Sequence, residues 1–513
     1  MLAMSKSQNL FDAVLRVAQA GPTATALLCR PSGQVLSYAQ LASLAGGMAQ
    51  ALAERGIERG DRVASLSFNE PLALALFLGL AKLGAIWVPL NWRLAPQEWR
   101  RALADCSPKA LVVGDEWLEA AKQLACSIWG FKSLAESRGE DAPSAAQRHD
   151  PALIVYTSGT TGTPKGAVHT HANLLANMAA ATAACGITSD DVVLSCLPLF
   201  HVGGLCIHTL PALGAGATVV VHERFDAAQV LQSIESDKPS LLLQVPTTMA
   251  ALCAHPNWAG TSLGSLRAVW AGSSIVSPSA VAAFHARGLP VCNVYGCTES
   301  GPVSVVLGAD HAADRAGWVG WPALGVEVKL LNTKPNANAN ADVGEIALRA
   351  PNVVANYWPD IAAVDEHGFL HTGDLAEMAA DGCLRVVGRA TELIISGGEN
   401  VYPAEVEAAL LEHPDIAACA AFGMPDARWG EVVCAAVVLR PENDSMSKIC
   451  SDLATLSEDS LDLMLQKKEQ SIVAHLSPKL AGYKQPRRIH FVQSLPLTAL
   501  GKVQKVALKA MLT

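Results

Sequence analysis

Short apolar runs rich in Val, Ile and Leu recur along this chain, at 62–66, 86–90, 110–113, 192–197, 218–221, 241–245 and 267–270, each separated from the next by helical patterning. Strands alternating with helices of about 10 to 15 residues demand a mixed α/β fold, with sheets covered by helices. With 513 residues the chain is too long for one ordinary core, so at least two domains are required. Runs at 345–348 and 384–387, preceded by a Pro- and Asn-rich turn at 332–342, predict a smaller β subdomain. Past Gly388 and Arg389 the pattern restarts, with a glycine loop at 396–398, a helix at 403–412 and alternating runs at 417–422 and 432–439. The division predicted is a large N-terminal domain over 1–389 and a small, mobile α+β C-terminal domain over 390–513.

Composition removes several classes. A net charge of -9 argues against a nucleic-acid binder. The thirteen cysteines show no CxxC pair and no metal-ligand spacing, as expected of reduced thiols in a cytoplasmic protein. The N-terminus has no signal-peptide core. The apolar run 71–90 carries a single charge, Lys82, yet Gly79, Gly84, Pro89 and its alternating tail predict a buried helix followed by a strand, so no transmembrane segment is expected.

The chemistry starts at 156–166, Tyr-Thr-Ser-Gly-Thr-Thr-Gly-Thr-Pro-Lys-Gly. Glycines let backbone approach phosphate oxygens, hydroxyls and N–H groups donate to them, and Lys165 supplies a positive charge. The spacing is not that of the Walker loop, so a nucleotide ligand is indicated without the usual ATPase motif. Further segments accompany it: Leu-Phe-His-Val-Gly-Gly at 199–204, Asn-Val-Tyr-Gly-Cys-Thr-Glu at 293–299, His-Thr-Gly-Asp-Leu at 371–375, Gly-Arg-Ala-Thr-Glu at 388–392, Ser-Gly-Gly-Glu-Asn-Val-Tyr-Pro at 396–403 and Gly-Lys at 501–502.

In this order these segments resemble the core motifs of the adenylate-forming superfamily, specifically the acyl-CoA synthetases, from about Leu36 to Lys505. The resemblance implies two half-reactions: a carboxylate attacks the α-phosphorus of ATP and releases pyrophosphate, then the thiol of coenzyme A displaces AMP. It also implies the roles. Thr157, Ser158, Gly159, Thr160, Thr161 and Lys165 would hold the β- and γ-phosphates, with Thr157 and Glu299 beside Mg²⁺. Gly272, Asn293, Tyr295 and Gly296 would bind the nucleotide, with the Tyr295 ring offered to adenine, and Thr298 would reach the α-phosphate. Asp374 would take the ribose hydroxyls and Arg389 would add a donor. Lys502 would bridge carboxylate, α-phosphate and ribose during adenylation, and His201 would gate the carboxylate. After a rotation of the small domain, Gly397 and Gly398 would help form the thiol channel. Two features depart from the family: Thr391 stands where the hinge usually has Asp or Lys, and the chain is longer by about twenty residues between 441 and 476, where helical periodicity and mixed charge appear.

The acyl tail is expected among Gly203, Gly204, Thr247, Ala271, Gly272, Ser273, Gly301 and Val303, small or apolar residues that favour a neutral acid. Gly203 leaves volume, which favours a medium- or long-chain fatty acid; an aryl, cinnamate-type or alicyclic acid is the alternative. An adenylation enzyme loading a carrier protein and a catalytically dead nucleotide binder are further readings. A homodimer is possible.

Overall fold

The computed structural model describes residues 8–30, 32–136, 144–157, 164–272, 276, 278–334, 343–396, 399–426, 428–440, 458–498 and 503–512. Among these residues the strands form four sheets. Two large ones stack with helices between and outside them. In the first, Val291–Tyr295, Ala268–Ala271, Leu241–Gln244, Val192–Ser195, Thr218–His222 and Thr25–Arg30 run parallel, and short antiparallel strands close both edges. In the second, Pro151–Thr157, Ile86–Pro89, Arg62–Leu66, Ala110–Val113 and Ile128–Gly130 are parallel, and Lys165–Thr170 returns antiparallel to Pro151–Thr157.

Strand alternation decides which side chains meet. Ala268 and Trp270 point into the core between the two sheets, while Val269 and Ala271 pack under the outer helices of the first sheet. The run at 71–90 folds as predicted: helix Pro71–Leu83 starts with proline at its first turn, ends on Gly84 in the left-handed conformation (φ 75°), and feeds strand Ile86–Pro89. It lies flush on helix Tyr38–Glu54, because a Cβ on Gly79 would stand 2.9 Å from the Ala45 carbonyl oxygen. No helix among the described residues is long and apolar enough to cross a membrane.

The third sheet, antiparallel Glu327–Lys334, Val343–Arg349, Leu370–Met378 and Leu384–Arg389, is the predicted β subdomain. The first strand runs through Lys334, into the turn expected from Asn332, because Asn332 takes a left-handed conformation (φ 52°) at a register shift within the strand; residues 335–342 lie outside those described. The fourth sheet uses Ile394–Ser396, Glu399–Val401, Ile416–Asp426, Gly430–Leu439 and Arg488–Phe491. Its core includes Ile472 and Leu476, both fully buried, from helix Glu458–Leu476. The helix bears out the helical periodicity read between 441 and 476, and its C-terminal end is structural, tied by Lys468 to Asp415 at 2.8 Å and by Ser471 to His413 at 3.1 Å.

Candidate active site

The candidate site gathers at the carboxyl ends of the parallel strands of the first sheet, the usual ligand position in such folds. Strand Val291–Tyr295 delivers the 293–299 segment there and ends in a tight turn. The turn is fixed by contacts rather than by propensity. A Cβ on Gly296 would sit 2.0 Å from the Pro302 carbonyl oxygen, so only glycine closes it. Gly301 is left-handed (φ 81°). The buried Asn352 donates to the Ser300 and Val303 carbonyls at 2.7 and 3.2 Å, and the Val303 N–H donates to buried Asn177 at 3.1 Å. Gly296→Ala is therefore expected to cost at least about 3 kcal/mol, the upper range for overfilling a packed site. Gly308→Ala, with nothing within 4 Å of its new Cβ, should leave the urea midpoint near wild type. A Gly296→Ala protein with wild-type stability would show that the turn has another packing.

The turn carries one member of each of two polar clusters. At its start the Tyr295 hydroxyl donates to Asp374 Oδ2 at 2.8 Å and approaches the Thr372 hydroxyl at 3.3 Å. Arg389 donates through Nε to Asp374 Oδ1 at 2.7 Å. Asp374 and Arg389 are register partners on adjacent strands, which places the guanidinium opposite the carboxylate. Burial raises the Tyr295 phenol well above its ordinary range and the Asp374 charge raises it further, so it remains a donor. For Arg389 burial works against the cation, but the Asp374 carboxylate outweighs it and the net shift is upward.

At the other end of the turn Glu299 Oε1 accepts from the Tyr357 hydroxyl at 2.8 Å, and the Lys165 ammonium stands 5.3 Å from the centre of the Tyr357 ring. Burial, then Glu299, holds the Tyr357 phenol protonated. Thr157 and Lys165 are directly paired across the two antiparallel strands, with the Thr157 hydroxyl donating to the Lys165 carbonyl at 3.4 Å. The residues that flank 158–163 are thus held to each other. Between the clusters lie Cys297, whose thiol burial pushes up to about 12, and Thr298, which is buried.

Of the predicted residues, Thr157, Lys165, Tyr295, Gly296, Thr298, Glu299, Asp374 and Arg389 belong to this arrangement. Asn293 sits on the same strand, paired with Ala271. His201 lies at a separate turn, where its Nδ1 accepts from the Gly203 N–H at 3.0 Å. Three glycines have a different reason from the one expected: Gly204, Gly272 and Gly296 turn their missing side chains toward protein. A Cβ at 204 would meet the Pro198 oxygen at 2.3 Å, and one at 272 would meet Val294 at 3.0 Å. They allow close backbone packing. Ser158, Gly159, Thr160, Thr161, Ser273, Gly397, Gly398 and Lys502 lie outside the described residues. Sequence reading missed Tyr357 and Thr372. Thr372 stood inside a quoted segment, but Tyr357 is brought in only by the long return of the chain to the second sheet.

Residues 14–358 match the AMP-binding enzyme model and 405–502 match the AMP-binding enzyme C-terminal domain. The chain belongs to this family, within the adenylate-forming acyl-CoA synthetases. It is 39% identical to an indoleacetate–CoA ligase of Aromatoleum aromaticum over 92% of both chains. It is 36% identical to a feruloyl-CoA synthase of an Amycolatopsis species over 98% of both. A long-chain-fatty-acid–CoA ligase of Mycobacterium tuberculosis is 31% identical, covering 93% of this chain and 94% of that one. Among solved structures, the o-succinylbenzoate coenzyme A synthetase of Bacillus subtilis in complex with ATP and magnesium ion superposes with a TM-score of 0.83 at 29% identity, covering 98% of this chain and 99% of that one.

Proposed function

We propose that this protein is an AMP-forming aryl-acid–CoA ligase. The observation that carries the reading is the Tyr295–Glu299 turn, which holds the Tyr295–Asp374–Arg389 cluster, suited to a diol, at one end and the Glu299–Tyr357–Lys165 cluster, suited to phosphates, at the other. Asp374 has one hydrogen bond on each oxygen and a remaining lone pair on each, so it can still accept from the two ribose hydroxyls. Arg389 and Tyr295 hold it in that orientation. Lys165, on the phosphate side, would neutralise charge on the pyrophosphate as it leaves.

The donor set fits Mg²⁺. Among the described residues no group of three His, Cys, Asp or Glu could form a protein-only metal cage, but Glu299 commits one oxygen to Tyr357, whose ring Lys165 approaches at 5.3 Å, and keeps a second oxygen that this bond does not use. One carboxylate with substrate phosphates is how proteins commonly hold this hard ion. When bound, the ion would screen the phosphate charges. Glu299 and Thr157 would hold it, and Tyr357 would orient Glu299.

Aromatic acids are favoured over the aliphatic chain expected from Gly203. Trp270 projects toward the inner core just below the site, paired in register with Leu243 and Cys292, and its ring meets the His208 ring edge-on at 6.3 Å. Two aromatic rings in edge-on contact at this depth favour a third ring as their neighbour over a flexible chain. The relatives named for indoleacetate and ferulate are also more similar to this chain than the one named for long-chain fatty acids. We further place the boundary of the mobile C-terminal domain at 389/390, between the last strand of the third sheet and Ile394–Ser396.

The test is CoA-dependent AMP formation over a panel of indole-3-acetate, cinnamates, phenylacetates, acetate and dodecanoate. The expected result is that an aryl acid has the highest kcat/KM and that pyrophosphate release requires both acid and ATP. Dodecanoate as the best substrate would return the aliphatic reading, and acid-independent pyrophosphate release would remove the ligase assignment.

A further inference from the structure

Behind Gly204 the chain makes an unusual wall. The helix after His201 widens into a π-turn over Leu205–Thr209 before resuming as Leu210–Ala215. Single π-turns of this kind often mark functional positions, because the extra residue rotates a side chain off the helix's regular face. Here His208 is 1% exposed, yet neither ring nitrogen has a hydrogen-bond partner among the described residues. The indole N–H of Trp270, 2% exposed, is likewise without a partner. A small cavity is lined by His208 together with Ser195, Thr209, Gly204 and Leu243. Its two hydroxyls are already matched: Thr209 donates to the Gly204 carbonyl at 2.7 Å and is 2.9 Å from Ser195 Oγ, which donates to it. The unmet groups are therefore those of His208 and Trp270.

A native core seldom leaves three polar atoms of two touching side chains unpaired, unless something that binds there completes them. Burial, reinforced by the Arg267 charge, lowers the His208 pKa to about 3, so the ring is neutral and offers one N–H and one lone pair. Trp270 offers only an N–H. The pair therefore lacks two acceptors and one donor. A hydroxyl supplies one donor and two acceptors. A ring N–H would bring a donor and no acceptor, and an ether oxygen would bring acceptors only. A carboxylate would need a cation, and the nearby Arg267 is already paired to Asp191. The two imidazole nitrogens lie on opposite sides of the ring, so a hydroxyl bound between the two rings, whose centres are 6.3 Å apart, would serve one of them together with the indole N–H, and a water would take the other.

We propose that the acid taken by this enzyme is a hydroxyaryl acid, its ring hydroxyl recognised by His208 and Trp270 as specificity-determining residues. This rests on the aryl-acid ligase reading above. Trp270 lies one residue pair inside the site's rim, where Ala271 pairs with Asn293, and Gly204 follows His201 by three residues. A ring entering with its carboxylate outward would meet His208 and Trp270 with its far edge.

The experiment compares 4-hydroxycinnamate with cinnamate and 4-methoxycinnamate, and 4-hydroxyphenylacetate with phenylacetate, by kcat/KM for CoA-dependent AMP formation. A site built to pair a hydroxyl discriminates strongly against the analogue lacking it, so the wild-type enzyme should prefer at least one hydroxyl acid over its unsubstituted partner by about 10-fold or more. In His208→Phe and Trp270→Phe that ratio should fall toward one. A purely structural role would lower both members of a pair alike and leave the ratio unchanged. Wild-type enzyme that activates cinnamate and phenylacetate at least as well as both hydroxyl acids would overturn this proposal while leaving the aryl reading intact, and needs no variant to fold. Turnover of aliphatic acids alone would overturn both.

Discussion

Glu299→Gln is expected to slow adenylation by about 10²-fold at ordinary Mg²⁺ and to shift the Mg²⁺ requirement upward, because it removes one charge from a site preorganised around phosphate. The substitution isolates charge from architecture. The Tyr357 hydroxyl donates to Glu299 Oε1, and a glutamine carbonyl accepts that bond equally well. The Val354 N–H donates to the backbone oxygen of residue 299 at 2.8 Å, independent of the side chain. Thermal stability should consequently stay close to wild type. The measurement is pyrophosphate release titrated with Mg²⁺, and an unchanged titration curve with a wild-type rate would remove Glu299 from the metal site. Tyr357→Phe supplies the contrast: it keeps the charge and loses the orienting hydroxyl, so a smaller effect on rate, with little change in Mg²⁺ dependence, is expected.

Legibility from sequence followed how local the determining physics was. Strands 62–66 and 110–113 and the helix–strand unit 71–90 were readable because proline, glycine and apolar runs act within a few residues. The β subdomain and the C-terminal strands were readable for the same reason. The role of 458–476 was not, because its low-contrast pattern of mixed charge hides two buried residues, Ile472 and Leu476, whose partners lie far along the chain. In the candidate site, motif order is what singles out Asp374, Arg389, Glu299 and Lys165. Tyr357 was missed because it reaches Glu299 across 58 positions, and His208 and Trp270 because their missing partners are invisible in a string of residues. Gly204, Gly272 and Gly296 carry a packing requirement that motif order does not reveal: an added Cβ at each would run into the protein's own atoms.

Lys502→Ala should separate the two half-reactions. Under the proposed mechanism Lys502 contacts the reacting centre only during adenylation, where losing one preorganised charge costs about 10²-fold or more in rate. Residues 499–502 lie outside those described, but the chain on either side is held. Leu497 and Val503 form an antiparallel bridge, and Lys505, three residues on, is tied to Glu392 at 2.8 Å and to Glu407 at 2.9 Å. For Lys505 burial opposes the charge, yet the two carboxylates outweigh it and raise its pKa, so the tether stays ionised. Glu392 follows Arg389 by three residues, so Lys505 is fastened beside the proposed hinge. Thioester formation from supplied acyl-adenylate and coenzyme A should therefore largely survive Lys502→Ala, measured by single-turnover loss of adenylate, while pyrophosphate release from acid and ATP collapses. Equal loss in both assays would mean that Lys502 stays at the site through both steps, and the two-position account of the small domain would have to be abandoned.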